Sequence, residues 1–391
     1  MRVSLARKLS FVALLYVIEG FPMGVYADVW PVFFRRHGVS LTEIGLYSGL
    51  SLAWAAKALW SPLIDRFGER RRWISGPLLA MAASLFMVSQ APAELGPLLW
   101  TFMGLYCLAS ATQDIAIDAY TIGLVERGEE GPANSVRVGA YRVGMLASGS
   151  ALLFLPRWIG WDGTFAVAGV LSLVFSAAVY ACPRVPLPAR EAGVIAPLRR
   201  WLSRPGVWGV AAFVLLYRVG DRALGPMLKP FWVDLGFADE EIAIYATSLG
   251  VASTIVGAAV GGLIVARIGI YRALWWLGAV ALLSNLSYAA AALAESGKAM
   301  VIAASVVESF CGGLASAAFL SFLMRICEKR HAAVEYALLT AVYATSGAVI
   351  SLPSGLLAET LGYAAYFAST ALFALPAFFF LPSSRSWLEG D

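Results

Sequence analysis

The chain has 391 residues, 60% of them apolar and only 14% charged, where a soluble domain carries about 25% charged residues. With a mean hydropathy of +0.74 it lacks the charge to cover a soluble globule, so a lipid bilayer is its natural solvent. The net charge of +4 is explained by Lys and Arg collected in loops on one side of a membrane, and no nucleic-acid partner is needed to account for it.

Twelve apolar stretches follow one another, each near the roughly 20 residues that a helix needs to cross a bilayer. They cover about 9–32, 41–64, 73–91, 97–125, 133–156, 164–182, 206–233, 240–266, 273–294, 299–326, 333–358 and 361–382. They are long and continuous, not short and alternating, which predicts helices and not a barrel. The first stretch imitates a signal peptide, with Arg2, Arg7 and Lys8 ahead of it and Val25-Tyr26-Ala27 as a cleavage-like end. Glu19 interrupts it, however, and a similar pattern returns near residue 210, so it is read as a spanning helix. Placing the N-terminus in the cytoplasm leaves only Arg35, Arg36, Arg157 and Lys298 among loop cations on the outer side. That asymmetry predicts two cytoplasmic termini.

The segment 183–205 is rich in Pro and Arg and reads as a linker between two six-helix halves, 1–182 and 206–391. The halves look like copies. His37-Gly-Val-Ser-Leu-Thr-Glu43-Ile44 matches Leu235-Gly-Phe-Ala-Asp-Glu-Glu241-Ile242, and Arg66-Phe-Gly68 matches Arg267-Ile-Gly269, each about 200 residues later. Internal repeats of this size are how many transporters are built.

Charges inside spans are costly and are kept where they face a cavity or a partner. Glu19 lies in helix 1, Lys57 in helix 2, Asp114 and Asp118 in helix 4, and Arg137 and Arg142 in helix 5. Helix 7 holds Arg218, Asp221, Arg222 and Lys229; Glu308 lies in helix 10 and Glu335 near the start of helix 11. Helices 3, 6, 9 and 12 carry no charge in their cores. Asp114 and Asp118 are four residues apart and share a helix face. Two such carboxylates resist both being ionised, which suits a proton carrier. The alternative is a fixed cation for each, such as Lys57 or Arg142. Glu19 has no basic neighbour on its own helix and is a rival proton site. Arg218 and Arg222, also four apart, could bind an anionic substrate or pair internally with Asp221. Tyr16, Tyr120, Tyr141 and Tyr217 share helices with these charges.

Cys107, Cys182, Cys311 and Cys327 lie in or at the ends of apolar runs without a CxxC, and His37 and His331 fall in loops. No disulfide framework, metal site or cofactor is expected. No phosphate-binding Gly-rich loop is present, so ATP is not the expected energy source.

Two resemblances add to this reading. Ser61-Pro-Leu-Ile-Asp65-Arg66-Phe-Gly68-Glu-Arg70-Arg71-Arg72 resembles the loop signature of the major facilitator superfamily between helices 2 and 3, with Ser61 for its first Gly and Glu69 inserted. The second copy, Gly262-Leu-Ile-Val-Ala266-Arg267-Ile-Gly269, keeps the Gly but has Ala266 for the Asp. The resemblance implies an all-α membrane protein of twelve helices, with helices 1, 4, 7 and 10 lining a central cavity. It also implies a gate at Asp65, Arg66, Gly68, Arg70, Arg71, Arg267 and Gly269. More narrowly, Ser110-Ala-Thr-Gln113-Asp114-Ile-Ala-Ile-Asp118-Ala119 followed by Gly139-Ala-Tyr141-Arg142-Val-Gly144-Met145 is similar to the AmpG muropeptide permeases and their acetyl-CoA transporter relatives. Lys57-Ala-Leu-Trp60-Ser61-Pro62 and Leu215-Leu-Tyr217-Arg-Val-Gly220-Asp221 add to the likeness. Permeases of that family are often longer, and neither Arg137 nor Glu19 matches its pattern.

The expectation is thus a secondary transporter working by alternating access, importing a bulky solute with protons, and not an enzyme. Glu19, Asp114 and Asp118 are the proton-site candidates. Lys57, Gln113, Tyr141, Arg142, Tyr217, Arg218, Asp221, Arg222 and Glu308 are the cavity candidates. The partners expected are a small-molecule substrate, protons and the lipid of a bacterial inner membrane, for a monomer. Siderophore import and acetyl-CoA transport are rival cargoes. A membrane acyltransferase is the rival from another class, but no span holds a His.

Overall fold

The computed structural model describes residues 4–66, 69–90, 96–126, 129–185, 201–294, 297–327 and 332–389, which form helices and no strands. In chain order the helices are α1 (Leu5–Arg36), α2 (in segments from Leu41–Ser48 to Ser61–Arg66), α3 (Arg70–Gln90), α4 (Pro97–Leu124), α5 (Glu130–Gly149) and α6 (Pro156–Ala181). Then come α7 (Val207–Leu216 and Val219–Asp234), α8 (Asp239–Ile268), α9 (Ile270–Leu293), α10 (Lys298–Arg325), α11 (Ala332–Ser351 and Ser354–Leu361), α12 (Tyr363–Ser384) and a short α13 (Arg385–Glu389). Each expected span has its helix, with ends shifted by up to eight residues, most at the boundary between α5 and α6. Most of the expected linker, 186–200, lies outside the described residues, as do Gly68, His331 and the side chains of Asp65 and Arg66.

Among the described residues, eight of these helices are long and apolar enough to cross a membrane by length and composition alone. The other four, α2, α4, α5 and α7, carry most of the charges expected inside spans. A 3-10 turn interrupts α2 at Lys57–Leu59, and α7 is interrupted at Tyr217 and Arg218. Local departures from α-helix of this kind often mark functional positions. Outward faces are apolar: Leu59 is 83% exposed and Phe379 84%, as lipid-facing residues would be.

The chain divides into two compact units. Unit 1 comprises 1–39, 56–190 and 238–247; unit 2 comprises 40–55, 191–237 and 248–391. In unit 1 the main packing is α1 on α5, with α3 between α4 and α6. The α1–α5 seam is close because it is lined by glycine. A Cβ on Gly20 would collide with the Tyr141 carbonyl, and one on Gly144 with the Val17 carbonyl. In unit 2 the main packing is α8 on α10, with α9 against α10 and α12. There Gly257 meets the Phe310 carbonyl and Gly313 the Thr254 carbonyl in the same way. Helices in lipid gain nothing from leaving water, so such small-residue seams supply the dispersion contact that holds them together.

The internal repeat has a physical content. Gly38 and Gly236 both adopt positive φ, 79° and 75°, where a side chain would be strained. Three residues on, each copy starts a helix with a carboxylate turned back on the chain. Glu43 accepts from the Ser40 N–H at 3.2 Å, and Glu241 accepts from the Ala238 N–H at 2.7 Å. Ser40 completes a capping box by accepting from the Glu43 N–H; Ala238 has no hydroxyl to do so.

Candidate functional site

The close α1–α5 seam at Gly20 and Gly144 sets the geometry of the site in unit 1. It brings α1, which carries Tyr16 and Glu19, against α5, which carries Arg137. Asp114 and Asp118 come from one face of α4, and Lys57 from the 3-10 turn of α2. One carboxylate oxygen from each of Glu19, Asp114 and Asp118 lies within 4.8 Å of the other two. All three proton-site candidates therefore meet in one place.

Two cations serve these three acids. Lys57 forms an ion pair with Asp114. Arg137 Nη2 lies 2.7 Å from Asp118 Oδ1, and the Tyr16 hydroxyl donates to the same oxygen at 2.6 Å. The Arg137 guanidinium also lies over the Tyr16 ring, 4.8 Å from its centroid. Glu19 is 9% exposed, forms no ion pair among the described residues, and leaves its Oε2 without a hydrogen bond. The sequence reading named Lys57 as a fixed partner, and that pairing is present. For Asp118 the partner is Arg137, not Lys57 or Arg142. Arg142 is half-buried and makes no ion pair or hydrogen bond among the described residues. Tyr141 is half-buried one position before it. Gln113 is fully buried with both amide atoms unpartnered.

The expected charges of unit 2 form a second group. Arg218 Nη2 pairs with Asp221 at 2.9 Å and its Nη1 donates to the Gly312 carbonyl at 2.8 Å. Glu308 approaches the same place: a Cβ on Gly312 would lie 3.6 Å from Arg218 Nη2 and 3.7 Å from Glu308 Oε1. Arg222 lies apart from this pair. Its guanidinium stands 4.5 Å from the Tyr343 ring centroid, and Nε donates to the Tyr343 oxygen at 3.1 Å. Tyr217 is packed in the apolar core: its hydroxyl donates to the Leu274 carbonyl at 2.9 Å and its ring stacks on Phe319.

Of the expected gate residues, Arg70 is buried at the start of α3, and Arg71 pairs with Glu69 and donates to the Cys182 carbonyl at 3.1 Å. These bonds tie the start of α3 to the end of α6. Arg71 beside Glu69 holds the Glu69 carboxyl below its ordinary range. Arg267 ends α8 exposed, and Gly269 turns the chain into α9 at φ 80°.

Three contributors escape the sequence reading of the site. Arg137 and Tyr16 are visible in the sequence only as a charge and a ring on cavity helices, with nothing to say that they meet Asp118. Asp28 is not singled out at all, because its neighbours are apolar. It is buried in a π-helical stretch of α1, Val25–Val29, against Gly149, and accepts from Thr247 at 3.3 Å. Thr247 itself lies in a π-helical stretch of α8, Ile242–Leu249.

Comparison with known proteins agrees with this geometry. The family model for the Major Facilitator Superfamily matches residues 12–334. An anhydromuropeptide permease of Escherichia coli (strain K12) is 30% identical, over 97% of this chain and 80% of its own. Among solved structures, a bacterial homolog of the human lysosomal transporter Spinster superposes with a TM-score of 0.79 at 17% identity, covering 98% of each chain. A D-xylose–proton symporter superposes with a TM-score of 0.76 at 15% identity, covering 98% of this chain and 99% of that one. Membrane-spanning helices, fold and relatives agree: the chain is an integral membrane transporter that belongs to the Major Facilitator Superfamily, in the group of the anhydromuropeptide permeases.

Proposed function

We propose that this transporter imports an anhydromuropeptide together with a proton, by alternating access of two six-helix bundles, 1–182 and 206–391, joined by the linker 183–205. The cargo follows from the name of the Escherichia coli relative, and the bacterial inner membrane from the same kinship. The proton rests on one observation: three carboxylates, Glu19, Asp114 and Asp118, share two cations, Lys57 and Arg137. With every group ionised the cluster carries one net negative charge, which is costly in a low-dielectric interior. A single proton brings it to neutrality. Glu19, the acid without a cation, is the place where that proton enters.

The cations outside the cluster suit the cargo. A muropeptide presents sugar rings and peptide carboxylates. Arg142 on α5 and Arg222 over Tyr343 offer a guanidinium for a carboxylate, and the Tyr343 ring a face for a sugar. Asp65, Arg66 and the arginines after them act as the gate, and the protein works as a monomer. The test is uptake into proteoliposomes under an imposed inward proton gradient, with labelled anhydromuropeptide and a siderophore mixture in parallel. Muropeptide accumulation that an uncoupler collapses is the expected result. Accumulation of the siderophore instead would keep the mechanism and replace the cargo.

A further inference from the structure

We propose that unit 2 holds a binding pocket for an anionic phosphate group, that of an anionic phospholipid headgroup, separate from the transport site. A cavity of about 670 Å³ opens where α8 turns into α9, beside the last turn of α10 and the short α13. Three arginines reach it from three distant stretches of chain: Arg272 from the first turn of α9, Arg325 from the last turn of α10, and Arg385 from α13. The described residues lining it include no Asp or Glu.

The place of Arg272 has no purely structural account. Arg325 sits at a helix C-terminus, where a cation is stabilising. Arg272 does not: it stands in the first turn of the 24-residue α9, where the helix dipole disfavours a cation. The same helix starts at Gly269 with φ 80° and no side-chain cap, so the positive end of its dipole adds to the arginines at the cavity wall. Guanidinium groups and an uncapped helix start meeting in one cavity make a receptor for phosphate oxygens.

The pocket is built, not left over. Trp387 of α13 donates from Nε1 to the Pro205 carbonyl at 2.8 Å, and the Arg204 guanidinium lies 4.2 Å from the Trp387 ring centroid. These contacts hold α13 in place, and Arg385 lies over the Tyr271 ring at 5.8 Å. Val265 and Leu388 give the cavity an apolar wall beside its charged one. A phospholipid matches both surfaces, phosphate to the arginines and glycerol and upper acyl chain to the apolar side. Basic pockets at the ends of membrane helices take such headgroups. Inorganic phosphate shares the charged half of this chemistry but not the apolar half.

The test is native mass spectrometry of the purified full-length protein in detergent, titrated separately with phosphatidylglycerol, phosphatidylcholine and inorganic phosphate. Phosphatidylglycerol is expected to be retained above phosphatidylcholine, with retention falling roughly fivefold for each arginine replaced in Arg272→Gln, Arg325→Gln and Arg385→Gln. Arg385→Lys should recover most of the loss. Phosphate binding with the same arginine dependence, without lipid retention, would uphold the phosphate site and assign it to the free ion. Equal retention of the two lipids, or unchanged phosphatidylglycerol retention in the variants, would overturn the proposal. Arg385→Gln alone, on an exposed side chain of the terminal helix, serves if the triple variant does not fold.

Discussion

In unit 1, three carboxylates share two cations; in unit 2, Asp221 and Glu308 face Arg218, while Arg222 lies over Tyr343. The first group is short of one positive charge, and the second comes to balance only when Arg222, held apart on Tyr343, is counted with it. Both occur on helices whose regular geometry is interrupted, at Lys57 in α2 and at Arg218 in α7. The difference separates two tasks that one transporter must perform. An unbalanced acidic group takes up and releases a proton while its net charge passes through zero. A balanced group keeps its charge and can hold a fixed polar surface for cargo.

The largest effect should come from removing the unbalanced acid. With one proton coupled, a gradient of one pH unit supports roughly tenfold accumulation. Glu19→Gln should lower that ratio to about one while exchange of cargo across the bilayer continues. Asp114→Asn should also abolish gradient-driven accumulation with the fold intact. Asp221→Asn in unit 2 should weaken cargo binding and leave the remaining uptake coupled. Proteoliposome uptake with and without a gradient measures all three. If Glu19→Gln accumulates like the native protein, the contrast between the groups has no mechanistic meaning.

A smaller effect follows from breaking a pair. Lys57→Met leaves Asp114 without its cation, at a cost of about 2 kcal/mol once the partial exposure of Lys57 is discounted. Lys57→Met combined with Asp114→Asn should recover most of it, since removing both partners leaves no uncompensated charge. Thermal unfolding in detergent reads the difference, and no recovery in the double variant would mean that the pair is not the source of the cost.

These groups were legible in the sequence to different degrees. Hydropathy located the spans, because each apolar run had to cover a bilayer thickness. The residues Glu19, Lys57, Asp114 and Asp118 stood out because charge inside a span is rare. What could not be read was which cation meets which acid. Arg137 lies 19 residues beyond Asp118 and Tyr16 lies 102 before it, so their meeting depends on helix packing and not on spacing. Tyr217 shows the same limit from the other side. Its place beside Arg218 suggested a cavity, but the break in α7 separates the two, and the ring turns into the core against Phe319.

The packing that decides these meetings can itself be tested, with a smaller expected effect. Gly144→Ala places a methyl against the Val17 carbonyl on the α1–α5 seam, and Gly257→Ala places one against the Phe310 carbonyl on the α8–α10 seam. Each should cost about 1–2 kcal/mol of overpacking. Only Gly144→Ala, on the helix pair that carries Glu19, Tyr16 and Arg137, should also alter coupling. Equal coupling defects from both would point to general loosening instead.

The smallest effect concerns the ties at the helix ends. Lys8 bonds Glu126 at 2.8 Å and Glu129 at 2.9 Å in unit 1, and Arg204 bonds Glu335 at 3.2 Å in unit 2. Glu129 lies in the loop before α5, where the Glu126 backbone N–H and then Lys8 hold its carboxyl below the ordinary value of 4.5. A carboxyl depressed in the folded state stabilises the fold fully above that ordinary value, because the unfolded chain there is ionised without the same partners. The stabilisation is lost as pH falls from 4.5 through the lower folded value. Lys8→Gln should therefore unfold slightly earlier than the native protein near neutral pH, and the gap should close in acid below that window. Glu335, 2% exposed at its side chain, sits in a much drier tie, so Arg204→Gln should leave a larger gap than Lys8→Gln at neutral pH. A Lys8→Gln gap that persists unchanged well below the window would show that Lys8 acts through packing of its stem on α1 and not through the carboxylates.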